Sequence, residues 1–506
     1  MAGAASRDHR YDVIVLGTGA AGLTAAVRAA ADGARVGLFE RAEQVGGTSA
    51  WSGGVAWLPN NRHEAEAGFA DSREEVLTYL ESLSHGLIER PMIEAFADTA
   101  PEVVDWLEAH TPVQFETLAG MSDYHPEHPG GRREGRSVEC PLFPFEELAE
   151  WAGRVTVGWQ LTGEFCMSES SLGRKAPNGL PPAELERRKI RDERGSGQAL
   201  IGRLLKGCLD HGVVPQTGCR GVRLLTEDGT VTGVAVEGPD GPFEVQADGG
   251  GVLATGGFEH DAKLVRTFLR GPLARAVSVP TNTGDALRMA MRIGADLADM
   301  REAWWVATID VEIPGRGLVP WQVNSERTRP HSIMVNDDGV RFTNEAANYN
   351  ALGNAFHVVD VARFAYVNHP AWLLIDHHFV SRYGLAGHRP PAPTPRWPGR
   401  WACRPAPCRT PCGGGTRTPP PGPIPISTVA RVTMTGPGAI RRSATRRRPP
   451  SARLRSRRTT RPGSDAGRWA PRADRGPTSA GGCSTSTARS STASTRRATR
   501  WDRSWA

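Results

Sequence analysis

The chain has 506 residues, which is enough for two or three domains with a large core. It contains no apolar run of the eighteen or so residues that a membrane-spanning helix needs, so we expect no membrane span. The eight cysteines are scattered and the N-terminus has no apolar signal core, which disfavours a secreted disulfide scaffold. We therefore expect a cytoplasmic protein.

The formal net charge of +6 averages two parts of opposite sign. Residues 389–506 contain 25 Arg and three Asp, with no Lys or Glu, whereas residues 1–388 carry a net charge of −16. An acidic body gives no reason to expect a nucleic-acid partner. The two parts are therefore interpreted separately.

The first forty residues predict a β-α-β unit. Residues 11–16 are a short apolar run before a glycine, as in a buried parallel strand. Residues 17–22 match G-x-G-x-x-G, 23–32 are Ala-rich and helical in pattern, and 35–39 form a second strand that ends at Glu40.

Each residue of this glycine turn has a physical role in binding a dinucleotide. Gly17 permits a tight turn, Gly19 lets the backbone approach a pyrophosphate at the helix N-terminus, and Gly22 allows close helix–strand packing. Glu40 then accepts hydrogen bonds from a ribose. The alternative is a glycine turn without a phosphate in an ordinary α/β protein; the complete unit favours the dinucleotide.

Two further segments extend this prediction. Residues 46–54 offer small side chains, hydroxyls and backbone donors along a long ligand, which favours FAD over NAD. Residues 251–257 have the form of a buried strand that runs into a glycine turn, after a hairpin-like stretch at 222–245. Distant sequence is therefore expected to complete the sheet.

With these residues in place, the body resembles flavoproteins of the fumarate reductase and 3-ketosteroid Δ1-dehydrogenase superfamily over most of residues 10–388. The shared patterns are the 17–22 turn with Glu40, the 46–54 loop, Ala254-Thr255-Gly256-Gly257, Thr283-Gly284-Asp285 at a helix start, and Gly-Val-Arg-Phe-Thr-Asn-Glu at 339–345.

The resemblance implies an α/β fold: a Rossmann-like FAD-binding domain, discontinuous in sequence, with an inserted α+β substrate domain. We place the FAD-binding domain at 1–275 with a helical insertion at about 62–195, an incomplete substrate and catalytic domain at 276–388, and a disordered tail at 389–506. The implied FAD-binding residues are Gly17, Gly19, Ala20, Gly22, Glu40, Arg41, Gly47, Thr48, Ser49, Gly53, Gly54, Val222, Ala254, Thr255, Gly256 and Asp285.

Two tyrosines favour the ketosteroid branch. Tyr124, in Ser-Asp-Tyr-His-Pro at 122–126, resembles that family's first active-site tyrosine, and Tyr349 resembles its catalytic base. A tyrosinate would remove a proton beside a ketone while hydride leaves for the flavin; with a reference pKa near 10, its anion needs stabilisation. The alternative is that Tyr349 packs against the sheet and Tyr124 only occupies a loop.

The resemblance thus predicts an enzyme: an FAD-dependent oxidoreductase that 1,2-dehydrogenates a 3-ketosteroid or a similar cyclic ketone. Its partners would be a small apolar ketone and an unidentified electron acceptor. One alternative is a fumarate-reductase-like flavoenzyme acting on another activated double bond. Another is an inactive, truncated flavoprotein with an arginine-rich tail.

Two other groups of residues were weighed as sites. His125 and His128 beside Asp123 lack further ligands at plausible spacing, so no metal site is predicted. Trp304 and Trp305 could line an apolar substrate pocket, or they could be core aromatics.

The sequence patterns of residues 1–388 do not continue into the tail, residues 389–506. It can be interpreted as a disordered basic arm, or its three cysteines at 403–412 as metal ligands. However, 108 of its 118 residues are Ala, Arg, Cys, Gly, Pro, Ser, Thr or Trp, whose codons carry G or C in the second position. A GC-rich gene read out of frame produces this bias. Shifting possible codons for 490–506 by one base restores Leu-Tyr-Ala-Ala-Gly-Asn, which resembles the superfamily's C-terminal FAD segment. We therefore predict a frameshifted C-terminus.

Overall fold

In the computed structural model, residues 9–170, 173–176 and 179–386 are described, together with the backbone of residues 426–435. These residues belong to one compact unit. The predicted frameshift, and the predicted disorder of residues 389–425 and 436–506, lie outside the described residues.

The strands of the described residues follow in chain order. They are β1 (Arg10–Leu16), β2 (Val36–Phe39), β3 (Ala56–Trp57), β4 (Glu116–Thr117), β5 (Ser137–Glu139), β6 (Phe143–Pro144), β7 (Glu193–Arg194), β8 (Arg220–Glu227), β9 (Thr230–Gly238), β10 (Gly241–Leu253), β11 (Val306–Ile313), β12 (Gly317–Gln322), β13 (Ser332–Asn336), β14 (Val359–Asp360), β15 (Ala365–Tyr366), β16 (Ala371–Asp376) and β17 (Ile426–Thr435).

The α-helices are also given in chain order. They are α1 (Ala20–Ala31), α2 (Gly47–Trp51), α3 (Arg62–Glu66), α4 (Arg73–Ser84), α5 (Arg90–His110), α6 (Pro182–Ile190), α7 (Ser196–Asp210), α8 (Ala262–Phe268), α9 (Asp285–Arg292), α10 (Asn324–Thr328), α11 (Tyr349–Phe356) and α12 (His377–Tyr383). Two 3₁₀ segments occupy Phe145–Arg154 and Met167–Glu169.

The first large sheet has the strand order β2-β1-β10-β9-β8. β1 pairs in parallel with β2 and with β10, and β10, β9 and β8 form an antiparallel meander. The predicted β-α-β unit and the predicted hairpin are confirmed. The prediction that distant sequence completes the sheet is also confirmed, because β10 lies some two hundred residues after β1.

The core beside this sheet includes the region predicted to be a helical insertion. Leu23 of α1 and Leu204 of α7 are fully enclosed and share one cluster with Val104 of α5 and Val138 of β5. Apolar residues repeat along one face of each long helix, and that face is buried. The insertion therefore packs into the same core as the glycine turn.

The second large sheet has the order β12-β11-β17-β16-β13. Its central strand, β17, pairs antiparallel with β11 and β16 and lies in the region predicted to be disordered. These ten residues are a strand in the structure.

Helix α9 lies in the region predicted to be the substrate domain but packs on β8 of the first sheet. Arg220 at the start of β8 donates two hydrogen bonds, of 2.9 and 2.8 Å, to the carboxylate of Asp285 at the start of α9. The chain therefore returns to the first sheet after residue 275.

None of the helices in the described residues combines the length and apolar character needed to cross a bilayer.

Candidate active site

Three strand ends meet at one edge of the first sheet. The amide of Gly17, after β1, donates to the carbonyl of Phe39 at 2.7 Å, and the amide of Ala254, after β10, donates to the carbonyl of Leu16 at 2.9 Å. The carboxyl ends of parallel strands are where open α/β sheets bind ligands. The predicted glycine turns therefore lie at the appropriate edge.

Gly17 and Gly22 are required by the packing of the chain itself. Gly17 has a φ of +105°, and a Cβ there would lie 2.2 Å from the carbonyl oxygen of Ala254. A Cβ on Gly22 would lie 2.0 Å from the carbonyl oxygen of Gly17. Both distances are far below van der Waals contact, so no side chain fits at either position.

Gly19 differs because its surroundings are open. A Cβ there would meet only the Ser49 hydroxyl oxygen, at 3.4 Å. Gly19 is the N-cap residue of α1, and because it is a glycine it has no side chain that could cap the helix. The N-terminus of a helix presents backbone amides and a partial positive charge, which suit a phosphate. This open, amide-lined helix start fits the pyrophosphate of FAD.

Glu40 is buried and firmly oriented. Its Oε2 accepts from the Thr18 amide at 3.0 Å and from the Thr18 hydroxyl at 2.6 Å, while Oε1 accepts from the Ala42 amide at 2.9 Å. A carboxylate offers about four acceptor sites, so Oε1 retains capacity for a ribose hydroxyl. Glu40 both fixes the glycine turn and presents an oxygen beside it.

Arg41, which follows Glu40 in the chain, forms an ion pair with Asp285. Its guanidinium donates to the Thr281 carbonyl at 3.0 Å and to the Asp285 carboxylate at 3.1 Å. Burial opposes the negative charge of Asp285, but the guanidinium groups of Arg220 and Arg41 outweigh it and hold the pKa of that carboxyl below its ordinary value. Asp285 is therefore an anion between two cations.

The 46–54 segment packs between α1 and α7. The Ser49 hydroxyl accepts from the Ala20 amide at 3.2 Å, and the Thr48 hydroxyl accepts from the Asn282 side chain at 3.2 Å. A Cβ on Gly54 would lie 2.5 Å from the carbonyl oxygen of Ser196, which explains its glycine.

The structure thus brings most of the predicted cofactor residues to one region. Hydrogen bonds and close approaches connect Gly17, Gly19, Ala20, Gly22, Glu40, Arg41, Thr48, Ser49, Ala254, Thr255, Gly256 and Asp285. Three others lie on the flanks: Gly47 opens α2, Gly53 abuts Met167, and Val222 is on β8 two residues after Arg220.

The two predicted catalytic tyrosines are brought together from distant segments. The Tyr124 hydroxyl donates a hydrogen bond to the Tyr349 hydroxyl, and the two rings meet edge to face with centroids 5.3 Å apart. Tyr124 is 37% exposed, while Tyr349 is the half-buried first residue of α11. Tyr124 thus lies in a loop and Tyr349 at a helix start, and their hydroxyl groups are in direct contact.

This contact makes the two phenols chemically unequal. Burial raises the pKa of both hydroxyls, and the shared hydrogen bond raises the pKa of Tyr124 further while lowering that of Tyr349. When the environment moves the pKa values of two neighbouring groups apart, the group with the higher pKa keeps its proton and the other loses its proton first. Tyr349 therefore ionises more readily than Tyr124, and Tyr124 donates the hydrogen bond between them.

Asn348 is a residue of this site that the sequence analysis missed. Its side-chain oxygen accepts from the Ala351 amide at 2.8 Å, which caps α11, and its amide nitrogen donates to the Tyr124 carbonyl at 2.8 Å. An Asn three residues before a helical amide is a recognisable N-cap signal. The sequence could have revealed the cap, but not the contact with Tyr124.

The histidines near Tyr124 have protein partners. His125 Nδ1 lies 3.0 Å from the Glu127 carboxylate, and His128 Nδ1 lies 3.4 Å from the Ser82 hydroxyl. Side-chain atoms of His125, Glu127 and His128 fall within 4.8 Å of one another, a spacing that a metal could bridge. The carboxylate of Asp123, the acid next to these histidines in the sequence motif, instead accepts hydrogen bonds from Trp57, Arg132 and Arg136.

The adjacent tryptophans take opposite environments. Trp305 is 1% exposed and lies in the core of the second sheet, whereas Trp304 is 80% exposed. Of the two interpretations of this pair, the core role applies to Trp305.

Glu64 on α3 is a buried acid close to the Tyr124 loop. Burial, assisted by the charge of Asp71, raises its pKa from 4.5 to about 7. The folded chain therefore binds more protons than the unfolded chain between these values, and stability is lost as the pH rises through that window.

We expect Glu64→Gln to leave stability nearly unchanged at pH 4, below both pKa values, and to raise the free energy of unfolding by up to about 3 kcal/mol at pH 8. Urea denaturation at both pH values measures this difference. Glu66→Gln, on the exposed side of the same helix, is the control and should change neither. Equal stabilisation at both pH values would contradict the assignment.

The fold and this edge define the class: the protein is an FAD-binding oxidoreductase. The chain belongs to the FAD-binding domain family, which it matches over residues 12–467.

Characterised relatives extend this likeness. The chain is 36% identical over 394 residues to 4-oxocyclohexanecarboxylate 2-dehydrogenase of Sinomonas cyclohexanicum, covering 76% of this chain and 67% of that protein. It is 34% identical to 3-oxosteroid 1-dehydrogenase of Mycobacterium tuberculosis, covering 78% and 72%. A crystal structure of 3-ketosteroid Δ1-dehydrogenase from Sterolibacterium denitrificans superposes with a TM-score of 0.67 at 31% identity, covering 74% and 70%.

Proposed function

We propose that the protein uses FAD to introduce a double bond beside the ketone of a cyclic substrate, such as the 1,2-dehydrogenation of a 3-ketosteroid. The observation that carries this proposal is the hydroxyl contact between Tyr124 and Tyr349, formed by two segments more than two hundred residues apart.

The reaction removes a proton and a hydride from neighbouring carbons. The Tyr349 oxygen takes the proton from the carbon next to the ketone, and the Tyr124 hydroxyl stabilises the Tyr349 anion by donating to it. FAD, when bound, accepts the hydride from the adjacent carbon. A carbon–carbon double bond conjugated with the ketone is left.

The substrate class follows from the relatives. One relative is named for a cyclohexanone ring that carries a carboxylate, and another for a 3-oxosteroid. A cyclic ketone is common to both names, and the proposed reaction needs a hydrogen on the carbon next to the carbonyl and another on the carbon after it. We infer this shared chemistry for the present chain, with a ketosteroid as the first substrate to test.

The predicted cofactor residues receive roles in the same proposal. The amides at the start of α1 would bind the pyrophosphate, Glu40 Oε1 would accept from a ribose hydroxyl, and the 46–54 segment would follow the cofactor away from the phosphates. Support comes from the open space at Gly19 and the acceptor capacity left on Glu40.

Two further parts of the proposal concern the cell. The reaction requires an electron acceptor to restore the oxidised enzyme. We place the protein in the reducing cytoplasm because Cys140, Cys166, Cys208 and Cys219 are buried free thiols.

The proposal is tested by flavin content and by turnover. The 506-residue chain and a second version, with the reading frame restored after residue 388, are purified and assayed with ketosteroids and cyclohexanones plus an artificial electron acceptor. Flavin absorbance at about 450 nm in both, and turnover that rises in the restored version, would support the function and the frameshift together. Absence of turnover in both would refute the function.

We expect Gly19→Val to abolish flavin binding while the chain still folds, because its new side chain enters open space rather than the core. Gly153→Val is the control, since a Cβ at Gly153 meets nothing within 4 Å and this glycine lies outside the proposed cofactor site. Absorbance of the purified proteins and their circular dichroism separate loss of cofactor from loss of fold. Retained flavin in Gly19→Val would count against the pyrophosphate site.

A further inference from the structure

Asp123, the residue before Tyr124, accepts hydrogen bonds from three donors. Its buried carboxylate accepts from the Trp57 indole at 2.7 Å, from the Arg132 amide at 2.8 Å and from the Arg136 guanidinium at 2.9 Å. Three hydrogen bonds leave an aspartate carboxylate very little freedom. The backbone at Tyr124 is therefore held from one side by its neighbour.

Arg136 is the buried centre of this arrangement. Its side chain is fully enclosed, and it donates two parallel hydrogen bonds of 2.8 Å each to Asp71 in addition to the bond to Asp123. The guanidinium also lies over the rings of Trp57 and Tyr79, 5.8 and 5.4 Å from their centroids. A planar fork can hold two carboxylates at fixed angles, and a lysine ammonium cannot.

The rest of the loop that carries Tyr124 packs against α4. The Tyr79 hydroxyl accepts from the His125 amide at 3.1 Å, and the Asp123 amide donates to the Arg132 carbonyl at 2.9 Å. Gly130, with a φ of +72°, approaches α4 so closely that a Cβ would lie 2.3 Å from the Glu75 carbonyl oxygen. Tyr124 is the residue that this closed loop presents to α11.

We propose that Arg136 is a positioning residue: paired with Asp71, it orients Asp123 and thereby holds the Tyr124 hydroxyl against Tyr349. Asn348 holds the same tyrosine from the opposite side, through its carbonyl. Burying one guanidinium with two carboxylates is costly unless the geometry is good, and in some proteins such networks specify a conformation more than they add stability. The conformation specified here is that of the tyrosine pair.

The test uses the full chain labelled with 3-fluorotyrosine, whose six tyrosines give resolvable fluorine signals. Each signal is assigned by its loss in a Tyr→Phe variant. In Arg136→Lys we expect the Tyr124 and Tyr79 signals to shift and those of Tyr11 and Tyr383 to stay. Asp71→Asn, which keeps the volume but removes one charge, should shift the Tyr124 signal in the same direction and serves if Arg136→Lys does not fold.

Arg188→Lys is the matched control, because Arg188 is also buried and also makes a bidentate pair, with Glu169, remote in sequence from this loop. It should leave the Tyr124 signal in place. A Tyr124 signal that is unmoved in both Arg136→Lys and Asp71→Asn, or moved equally by Arg188→Lys, would overturn the proposal.

The kinetic arm rests on the proposed function. In the form of the chain that turns over ketones, Arg136→Lys should lower kcat by about 10- to 100-fold with little change in KM, because a small misplacement of a reacting group costs that much. A purely structural role would lower the amount of folded protein without this split. If no ketone is turned over, the function fails, while the fluorine signals still decide the positioning role.

Discussion

Tyr349→Phe is expected to lower kcat for ketone dehydrogenation by about 10²- to 10⁴-fold while FAD remains bound. The substitution removes one oxygen, the atom that accepts the hydrogen bond from Tyr124 and, in the proposed reaction, the substrate proton. The ring is retained, so packing at the start of α11 changes little. Turnover with a ketosteroid and an artificial electron acceptor, together with the flavin spectrum, measures both parts of this expectation.

Tyr366→Phe is a suitable control, since Tyr366 has the same 37% exposure as Tyr124 but lies on β15. It should leave kcat unchanged. Tyr124→Phe should lie between the two, because it removes the donor that lowers the pKa of Tyr349 but leaves the base in place. Near-normal turnover by Tyr349→Phe would refute its role as base and leave the FAD-binding fold untouched.

Gly17→Ala is expected to destabilise the fold by about 3–5 kcal/mol, combining a strained positive φ with overpacking. The new methyl group would lie 2.2 Å from the carbonyl oxygen of Ala254, in a backbone segment that cannot move without separating β1 from β10. Chemical denaturation of the variant, with and without added FAD, measures the loss.

Gly33→Ala isolates the close approach from the strain. Gly33 has a φ of +89°, but a Cβ there meets nothing within 4 Å, so only the backbone cost of about 1–2 kcal/mol is expected. If the two variants lose equal stability, the contact between Gly17 and the end of β10 does not constrain the fold. Gly19→Val, which keeps the fold, completes the series.

Local sequence predicted most of the first sheet correctly. The apolar run at β1, the glycine turn and the Ala-rich α1 follow each other within about thirty residues, so their geometry is set by short-range sterics and hydrogen bonds. The turns between β8, β9 and β10 were visible for the same reason. Strand pairing across distant sequence was expected in general, but its order came from packing.

The active site was predictable in part. The resemblance pointed to Tyr124 and Tyr349, but their hydroxyl contact depends on a loop fastened to α4 and on a helix start beyond β13. Arg136 had no local signal at all: a single arginine in a polar stretch becomes a buried ligand of two carboxylates only after three segments converge. Such convergence is a property of the tertiary structure.

By itself, the sequence determined the cofactor class and the edge where it binds. Gly22 and Glu40 are dictated by contacts within one β-α-β unit, and Gly17 by its positive φ in the same turn, and this short-range chemistry recurs wherever that unit occurs. Only the tertiary structure decided that the two tyrosine hydroxyls meet and that Tyr124 donates to Tyr349, because the two residues lie 225 positions apart and their pKa values depend on burial and on that hydrogen bond. It also decided that Arg136 is buried between Asp71 and Asp123, since a buried ion pair exists only when the surrounding chain excludes water from it.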